Sequence, residues 1–196
     1  MPYPYKTICV FAASADNLDP TYYHAAREMG RLLAEHKVTV VYGGGRTGLM
    51  GAVAEGAQEE GGEVIGIVPR GLESPQLIYT TGLSRLEIVD NIQERKARMN
   101  TLAEAFICLP GGYGTMDETF EVLTWSQIGL HRKPCGFLNT NGYFDHLFAW
   151  VERAYDDHFI YEEHLDLYVE DASPQKLLDK LAVFKFPANI GRWLER

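Results

Sequence analysis

The sequence contains few cysteines, no long apolar run and no cluster of basic residues. Its three cysteines, Cys9, Cys108 and Cys135, are widely spaced in short apolar runs, as is typical of buried strand residues in a reducing compartment. No stretch reaches the roughly 18–20 apolar residues that a membrane span needs, and the first residues lack a signal-peptide pattern. We therefore expect a cytoplasmic protein without a disulfide framework, a zinc site or a membrane partner.

The net charge of the chain limits the kinds of ligand that it can bind. The 196 residues include 27 acidic and 18 basic side chains, a formal net charge of −9. A nucleic-acid polymer requires a dense basic surface, so this partner is excluded. A small anion needs only a few local cations and a helix N-terminus, so it remains possible. The length and the 46% hydrophobic content fit one folded domain over residues 1–196.

Apolar runs alternate with helical patterns along the chain, and a looser segment extends from Arg70 to Ser84. Strands are predicted at Thr7–Phe11, Val38–Tyr42, Glu63–Val68, Leu86–Val89, Ala105–Leu109, Pro134–Leu138 and Leu167–Val169. Helices are predicted at 19–36, 48–60, 92–103, 114–128, 144–157 and 173–183. This alternation predicts an α/β fold, a doubly wound parallel sheet with helices on both faces. In such folds ligands bind at the carboxyl ends of the strands.

The first glycine-rich loop follows the second predicted strand. Gly43, Gly45 and Gly48 satisfy G-x-G-x-x-G, a pattern that is weak evidence for a dinucleotide site by itself. The next strand runs into Val68-Pro69-Arg70, where a ribose-binding acid would be expected. Two interpretations remain open besides an NAD site: glycines that permit close helix–strand packing, and the wall of a different ligand pocket.

The second glycine-rich loop, Leu109–Thr115, enters a helix that carries Asp117 and Glu118. Glycines allow the backbone to turn sharply and to aim N–H groups and the positive helix end at an anion. The loop lacks the G-K-[ST] ending of a P-loop, which disfavours triphosphate chemistry. The two carboxylates either cap the helix or face a part of the ligand that becomes cationic.

Arg95 interrupts an apolar stripe on the predicted helix 92–103. Ile92, Met99 and Leu102 share this stripe at helical spacing, and Lys96 lies beside it. An arginine in this position needs a fixed partner, which is either a buried carboxylate in a structural ion pair or an anionic ligand.

These stretches together resemble the LONELY GUY family of cytokinin riboside 5′-monophosphate phosphoribohydrolases, whose members have often been labelled lysine decarboxylases. The family signature P-G-G-x-G-T-x-x-E is complete in Pro110–Glu118, G-G-G-x-x-G-L-M-G in Gly43–Gly51, and E-R-K-x-x-M in Glu94–Met99. Its E-x-x-T-W-x-Q-x-G and K-P segments are present at Glu121–Gly129 and Lys133-Pro134. The similarity covers roughly residues 6–165, and the joint occurrence of these motifs is highly specific.

The resemblance implies a Rossmann-like homodimer that hydrolyses nucleoside 5′-monophosphates, such as AMP or a cytokinin riboside monophosphate, to a free base and ribose 5-phosphate. By position, Arg95 and Glu118 match the catalytic pair. The expected substrate-binding residues are Ser14, Gly43, Gly44, Gly45, Lys96, Met99, Gly111, Gly112, Gly114, Thr115, Asp117 and Thr124. The sequence departs from the family at Leu77, where many members carry a glutamate, and this change bears on base preference.

The reaction needs no metal and no organic cofactor, because a glycosidic bond breaks through an oxocarbenium-like sugar that a carboxylate stabilises. Two alternatives from other classes are a non-catalytic nucleotide-binding or carrier protein on the same fold and an NAD-dependent oxidoreductase. The decarboxylase label is rejected, because that chemistry needs a pyridoxal Schiff base, and Lys96 beside an arginine is better suited as a fixed cation.

Overall fold

The structure is a computed structural model that describes residues 2–79 and 82–190. Within these residues it contains seven strands and six helices, which alternate along the chain except between the third and fourth strands. The strands are β1 Thr7–Phe11, β2 Thr39–Tyr42, β3 Val64–Pro69, β4 Arg85–Val89, β5 Ala105–Cys108, β6 Cys135–Leu138 and β7 Tyr168–Asp171. The helices are α1 Pro20–Glu35, α2 Gly48–Glu59, α3 Ile92–Leu102, α4 Tyr113–Gln127, α5 Asp145–Asp156 and α6 Pro174–Ala182. Short 3-10 helices at Thr140–Gly142 and Glu162–Leu167, which the sequence patterns do not predict, precede α5 and β7.

All six strand pairs are parallel, and the strand order is β4-β3-β2-β1-β5-β6-β7. The chain builds outward from β1 in one direction and then returns to add β5 on the other side of β1. The loops after β1 and β5 therefore diverge, and this topological switch point leaves a crevice at the carboxyl edge of the sheet. The predicted doubly wound α/β fold is confirmed.

Alternating strand residues divide the core into two layers. Ile8 and Val10 of β1 pack in the layer formed with α1, α2 and α6. Cys9 and Phe11 point to the opposite face, where Met99 of α3 and side chains of α4 and α5 cover the sheet. Burial on both faces explains why the central strands read as continuous apolar runs. All three cysteines are free and buried, as predicted.

The connection between β3 and β4 is the exception to strand–helix alternation. Parallel neighbours usually need a helical crossover, yet residues 70–79, the described part leading out of β3, form no helix. Gly71 and Pro75 disfavour a helix here. Ile78 instead makes an isolated bridge with Gly45, and the backbone N–H of Arg46 donates to the Leu77 carbonyl at 2.9 Å. The segment is thereby held across the carboxyl edge of the sheet.

None of the helices in residues 2–79 and 82–190 is long and apolar enough to cross a membrane.

Candidate active site

A cavity of about 610 Å³ opens at the carboxyl edge of the sheet, at the switch point between β1 and β5. Its volume lies within the range of about 300–1,000 Å³ that is usual for small-molecule sites. One wall, here called the polar wall, consists of the loop after β5 and the first turn of α4. The opposite apolar wall consists of Val68, Pro69, Leu72, Leu77, Ile78 and Ile92.

The polar wall presents the start of α4 without a side-chain cap. Gly112 is the N-cap residue, and no side chain accepts a hydrogen bond from the first turn. Helices leave their first backbone N–H groups without intrahelical partners, and these carry the positive end of the helix dipole. Gly112, Gly114 and Thr115 line the cavity, so an anion can bind to these groups.

Gly111 lies just behind this wall and must be a glycine. A Cβ atom at this position would overlap the hydroxyl and Cβ of Thr115. The absent side chain allows Thr115 to fold back over the loop in a buried position, 4% exposed. The sequence pattern G-G-x-G-T therefore describes one packed unit, in which the threonine fills the space that the glycine leaves.

Arg95 and Glu118 form an ion pair at the floor of the cavity. The Arg95 Nη1 group donates to Glu118 Oε1, while its Nε donates to the Ile67 carbonyl at 3.0 Å. Their side chains are only 13% and 10% exposed, and both residues line the cavity. Arg95 comes from α3 and Glu118 from α4, so the pair joins the two helices beneath the ligand space.

The environment of Glu118 perturbs its protonation. Burial raises the pKa of Glu118 above its ordinary value, and the positive charge and hydrogen bond of Arg95 oppose this rise only in part. A carboxyl group with a raised pKa exchanges protons more readily near neutral pH. A buried titratable group in a cavity, perturbed by desolvation and one charged partner, is typical of a catalytic residue.

The loop after β2 supports the ion pair from below. A Cβ atom at Gly43 would collide with the guanidinium of Arg95, so this glycine is required for close approach. Gly45 also lines the cavity, whereas Gly44 is buried behind it and its carbonyl accepts a hydrogen bond from the Tyr79 N–H. Of the two interpretations left open for these glycines, close packing and a pocket wall, the structure shows both.

Ser14 lies in the loop after β1 and lines the cavity beside Ala13 and Ala15. Its carbonyl accepts a hydrogen bond of 2.7 Å from the Thr47 hydroxyl, and the Ala13 carbonyl accepts one of 3.1 Å from the Met50 N–H. These contacts fasten the β1 loop to the start of α2.

Several expected binding residues lie outside the cavity lining. The Lys96 ammonium contacts Asp117 at 3.1 Å and Glu121 at 2.8 Å, which links α3 to α4 on the outer side. These carboxylates, Glu121 first, raise the pKa of Lys96. Thr124 is exposed on α4, and Met99 is buried in the core. A role for these four side chains in substrate binding remains a prediction.

The structure also brings in Leu72, which sequence reasoning missed, beside Leu77, which the sequence singled out as a departure from the family. These two leucines are 53% and 50% exposed at the mouth of the cavity. The looser pattern between two parallel strands was the signal that could have identified this segment. Tyr143 donates its hydroxyl to the Gly111 carbonyl at 2.7 Å. The preceding Asn141-Gly142 turn signal gave no indication of this contact, because the partner is distant in sequence.

Across residues 2–79 and 82–190, no group of three or more His, Cys, Asp or Glu side chains is arranged to hold a metal ion.

Comparison with known proteins extends the match beyond short motifs. A family model described as "possible lysine decarboxylase" matches residues 50–181. Probable cytokinin riboside 5′-monophosphate phosphoribohydrolase LOGL9 of Oryza sativa subsp. japonica is 42% identical over 177 residues, covering 90% of this chain and 78% of the relative. The chain belongs to the LONELY GUY family. Cytokinin riboside 5′-monophosphate phosphoribohydrolase LOG5 of Arabidopsis thaliana is 38% identical over 187 residues, covering 95% and 81%.

Solved structures agree on the fold of this LONELY GUY protein. The molybdenum cofactor carrier protein of Chlamydomonas reinhardtii superposes with a TM-score of 0.65 at 19% identity, covering 91% of this chain and 98% of that chain. The molybdenum cofactor binding protein of Rippkaea orientalis gives 0.63 at 19% identity, covering 88% and 91%. At this level of identity the likeness concerns the architecture alone.

The surroundings of Lys96 do not suit the decarboxylase description that the family model carries. A Schiff-base lysine must lose its proton to attack a carbonyl carbon. Lys96 is instead held by two carboxylates that favour its charged form, away from the cavity lining of this LONELY GUY protein.

Proposed function

We propose that this LONELY GUY protein hydrolyses the N-glycosidic bond of nucleoside 5′-monophosphates, with Arg95 and Glu118 as its catalytic pair. The observation that carries the proposal is the position of this buried ion pair, which shares one cavity with the uncapped start of α4. The relatives named above are phosphoribohydrolases that act on cytokinin riboside 5′-monophosphates. The products are the free base and ribose 5-phosphate.

The 5′-phosphate binds at the polar wall. The backbone N–H groups of Gly112 and Gly114 and the side chain of Thr115 surround the helix end that favours negative charge. In this proposal the phosphate lies at the start of α4, one helical turn before Glu118. The ribose then extends over the ion pair, and the phosphate fixes its position.

Glu118 acts on the anomeric carbon. Its carboxylate stabilises the positive charge that develops on the sugar ring as the bond to the base breaks. A water oxygen bonds to the anomeric carbon, and Glu118 accepts the proton that this water loses. The raised pKa of Glu118 favours that transfer and allows the proton to pass on to the departing base.

Arg95 keeps Glu118 in position and supplies positive charge beside the nucleotide. Its side chain is fixed by the Ile67 carbonyl and by Gly43, so its guanidinium does not need to reorganise during the reaction. An arginine remains protonated at neutral pH, and we therefore assign it no proton transfer.

The base lies against the apolar wall. Leu72, Leu77 and Ile92 are partly exposed there, and exposed apolar side chains at a cavity mouth are typical of a ligand surface. A flat heteroaromatic ring buries apolar area against them. Leu77 supplies this surface with a side chain that carries no hydrogen-bonding group.

The buried carboxylate favours an enzyme over a nucleotide carrier. A protein that only binds an anion gains nothing from a desolvated glutamate near the anion, and burying this charge costs free energy. In an enzyme the buried glutamate lowers the barrier, because the sugar becomes cationic only in the transition state and the carboxylate stabilises that cation.

The direct test is to incubate the purified protein with AMP and to measure free adenine and ribose 5-phosphate by chromatography. We expect both products in equal amounts, with release slowed by on the order of 10²–10⁴ in the Glu118→Gln variant under the same conditions. Binding of AMP without product would overturn the proposal in favour of a carrier. Tight binding of NAD without hydrolysis of AMP would favour the oxidoreductase.

We further propose that the protein is a homodimer in the cytoplasm. Trp150 is 57% exposed on α5 and meets the half-exposed Phe120 of α4 edge to face at 5.9 Å. Aromatic residues are enriched in interfaces, and a two-fold axis buries the same patch on both subunits. Trp125, half-buried on α4, belongs to the same helix. Light scattering should give about twice the chain mass of 22.1 kDa, and a monomer at micromolar concentration would refute the dimer.

A further inference from the structure

Tyr143 reaches the polar wall from behind. Its hydroxyl donates to the Gly111 carbonyl at 2.7 Å, while the residue itself does not line the cavity. The contact joins two segments that are 32 positions apart in sequence, the turn after β6 and the loop after β5. It is therefore a tertiary anchor on the loop that we assign to the phosphate.

A rigid turn holds Tyr143 in place. Asn141 and Gly142 both have positive φ angles, 55° and 68°, which reverse the chain sharply after β6. The Asn139 side chain accepts from the Phe144 N–H and donates to Asp145, each at 2.8 Å. Phe144 is 2% exposed, so the residue that follows Tyr143 is fixed in the core.

Ring contacts restrain the Tyr143 side chain as well. Its ring packs edge to face against Phe144, with centroids 5.0 Å apart, and against Tyr22 of α1 at 6.0 Å. The hydroxyl thus points at Gly111 from a support built by the turn after β6 and by α1.

The carbonyl that Tyr143 holds controls a donor on the other side of the same peptide. In a planar trans peptide, the C=O of one residue and the N–H of the next point in opposite directions. Fixing the Gly111 carbonyl towards Tyr143 therefore turns the Gly112 N–H away from Tyr143, and Gly112 itself lines the cavity. Glycine peptides rotate easily, and outside the two chain neighbours of Gly112 no heavy atom lies within 4 Å of its Cβ position.

We propose that Tyr143 is a positioning residue for phosphate recognition, acting through the Gly111–Gly112 peptide. The inference rests on the proposed function, in which the start of α4 binds the 5′-phosphate. Tyr143 does not touch the nucleotide. It presets the Gly112 N–H, so that binding does not have to order a freely rotating peptide.

The test compares Tyr143→Phe with wild type and with Tyr22→Phe as a matched control. Tyr143→Phe keeps the ring contacts and removes only the hydroxyl. Tyr22→Phe removes a hydroxyl from the ring that packs against Tyr143 and leaves the contact with Gly111 in place. The measurements are kcat and KM for AMP, the slow cleavage of adenosine, the inhibition constant of ribose 5-phosphate, and the melting temperature.

For Tyr143→Phe we expect kcat/KM for AMP to fall about threefold to tenfold, the usual effect of losing one hydrogen bond, with the change mainly in KM. The inhibition constant of ribose 5-phosphate should rise by the same factor. Adenosine cleavage, the melting temperature and all values for Tyr22→Phe should match wild type.

Two outcomes would overturn the inference: unchanged AMP kinetics in Tyr143→Phe, or an equal loss on AMP and adenosine, which indicates a general structural defect. Failure of the proposed function is distinguishable, because it shows as absence of adenine release by the wild-type protein. In that event the affinities of wild type and Tyr143→Phe for ribose 5-phosphate still decide the inference, and equal affinities or no binding overturn it.

Discussion

The two walls of the cavity are built on different principles. The polar wall follows the central strand β5, continues directly into α4, and is fastened by Thr115 within the loop and by Tyr143 from outside it. Apart from Ile92 of α3, the apolar wall comes from the end of β3 and from residues 70–79, which form no helix, are joined to the β2 loop through Gly45 and Arg46, and carry half-exposed leucines. The comparison separates two tasks: backbone donors with a fixed direction suit a phosphate, whereas apolar side chains tolerate different bases.

This contrast predicts a different effect of substitutions in each wall. Changes in the polar wall should depend on the phosphate and be indifferent to the base, and changes in the apolar wall should show the opposite pattern. Glu118 lies between the walls, so its loss should affect every substrate equally.

Glu118→Gln should have the largest effect, lowering kcat by on the order of 10²–10⁴ for every nucleotide tested. The amide keeps the shape of the side chain and removes the charge that stabilises the sugar cation. Steady-state rates of base release measure the loss, with folded protein quantified by circular dichroism because Arg95 loses its counter-charge. Glu152→Gln, an exposed glutamate on α5 outside the cavity, is the control and should retain near-native turnover. Near-native rates in Glu118→Gln would refute its catalytic role.

Removing the 5′-phosphate from the substrate should come next, with adenosine cleaved roughly 10³-fold less efficiently than AMP. Two or three charge-assisted hydrogen bonds at about 1.5–3 kcal/mol each account for such a factor. Because the phosphate positions the anomeric carbon, kcat should fall as well as affinity. Comparable kcat/KM values for AMP and adenosine would mean that the polar wall is only a packing feature.

Acidification should lower kcat/KM about tenfold per pH unit below the pKa of Glu118, since the protonated acid cannot accept the proton of water. Burial raises this pKa above the ordinary value of 4.5, so the loss should begin at a higher pH than an exposed glutamate would give. A pH–rate profile measured with AMP, corrected for ionisation of the substrate phosphate, tests the sign. An acid limb at or below pH 4.5 would contradict it.

Thr115→Ala should reduce kcat/KM for AMP by about tenfold and leave the slow reaction with adenosine almost unchanged. The variant removes a hydroxyl from the polar wall and the side chain that packs over Gly111. Thr101→Ala, at an exposed position on α3, is the matched control. Equal losses on both substrates would show that Thr115 supports the fold rather than the phosphate.

Leu77→Ala should have the smallest effect, about threefold to tenfold, and only on bases that reach the apolar wall. We expect AMP with an apolar group on its N6 atom to lose more kcat/KM than AMP, because more apolar contact is removed. Leu130→Ala, an exposed leucine outside the cavity, provides the comparison. A uniform loss across bases would assign Leu77 a structural role instead.

Much of the fold was readable from local patterns. Apolar runs such as Thr7–Phe11 and helix starts such as Asp19, which caps α1 by accepting from the Thr21 N–H at 2.8 Å, depend on neighbouring residues. Strand and helix boundaries therefore agreed with prediction to within one or two residues. The 3-10 helix at Glu162–Leu167 was missed, because no hydrophobic period distinguishes so short an element from a loop.

For the site, the sequence by itself determined which segments meet, because parallel strands bring their following loops to one edge. The glycine loops that begin at Gly43 and precede α4 could be identified in this way, whereas Arg95 was found from the apolar stripe that it interrupts and the pairing of Arg95 with Glu118 from the family resemblance. Only the tertiary structure decided which partner each side chain has. It gave Arg95 the carboxylate of Glu118, turned Lys96 outward to Asp117 and Glu121, and brought Tyr143 to Gly111. Motif spacing fixes the position of a residue along a helix or loop, whereas its partner depends on the packing of elements that are distant in sequence.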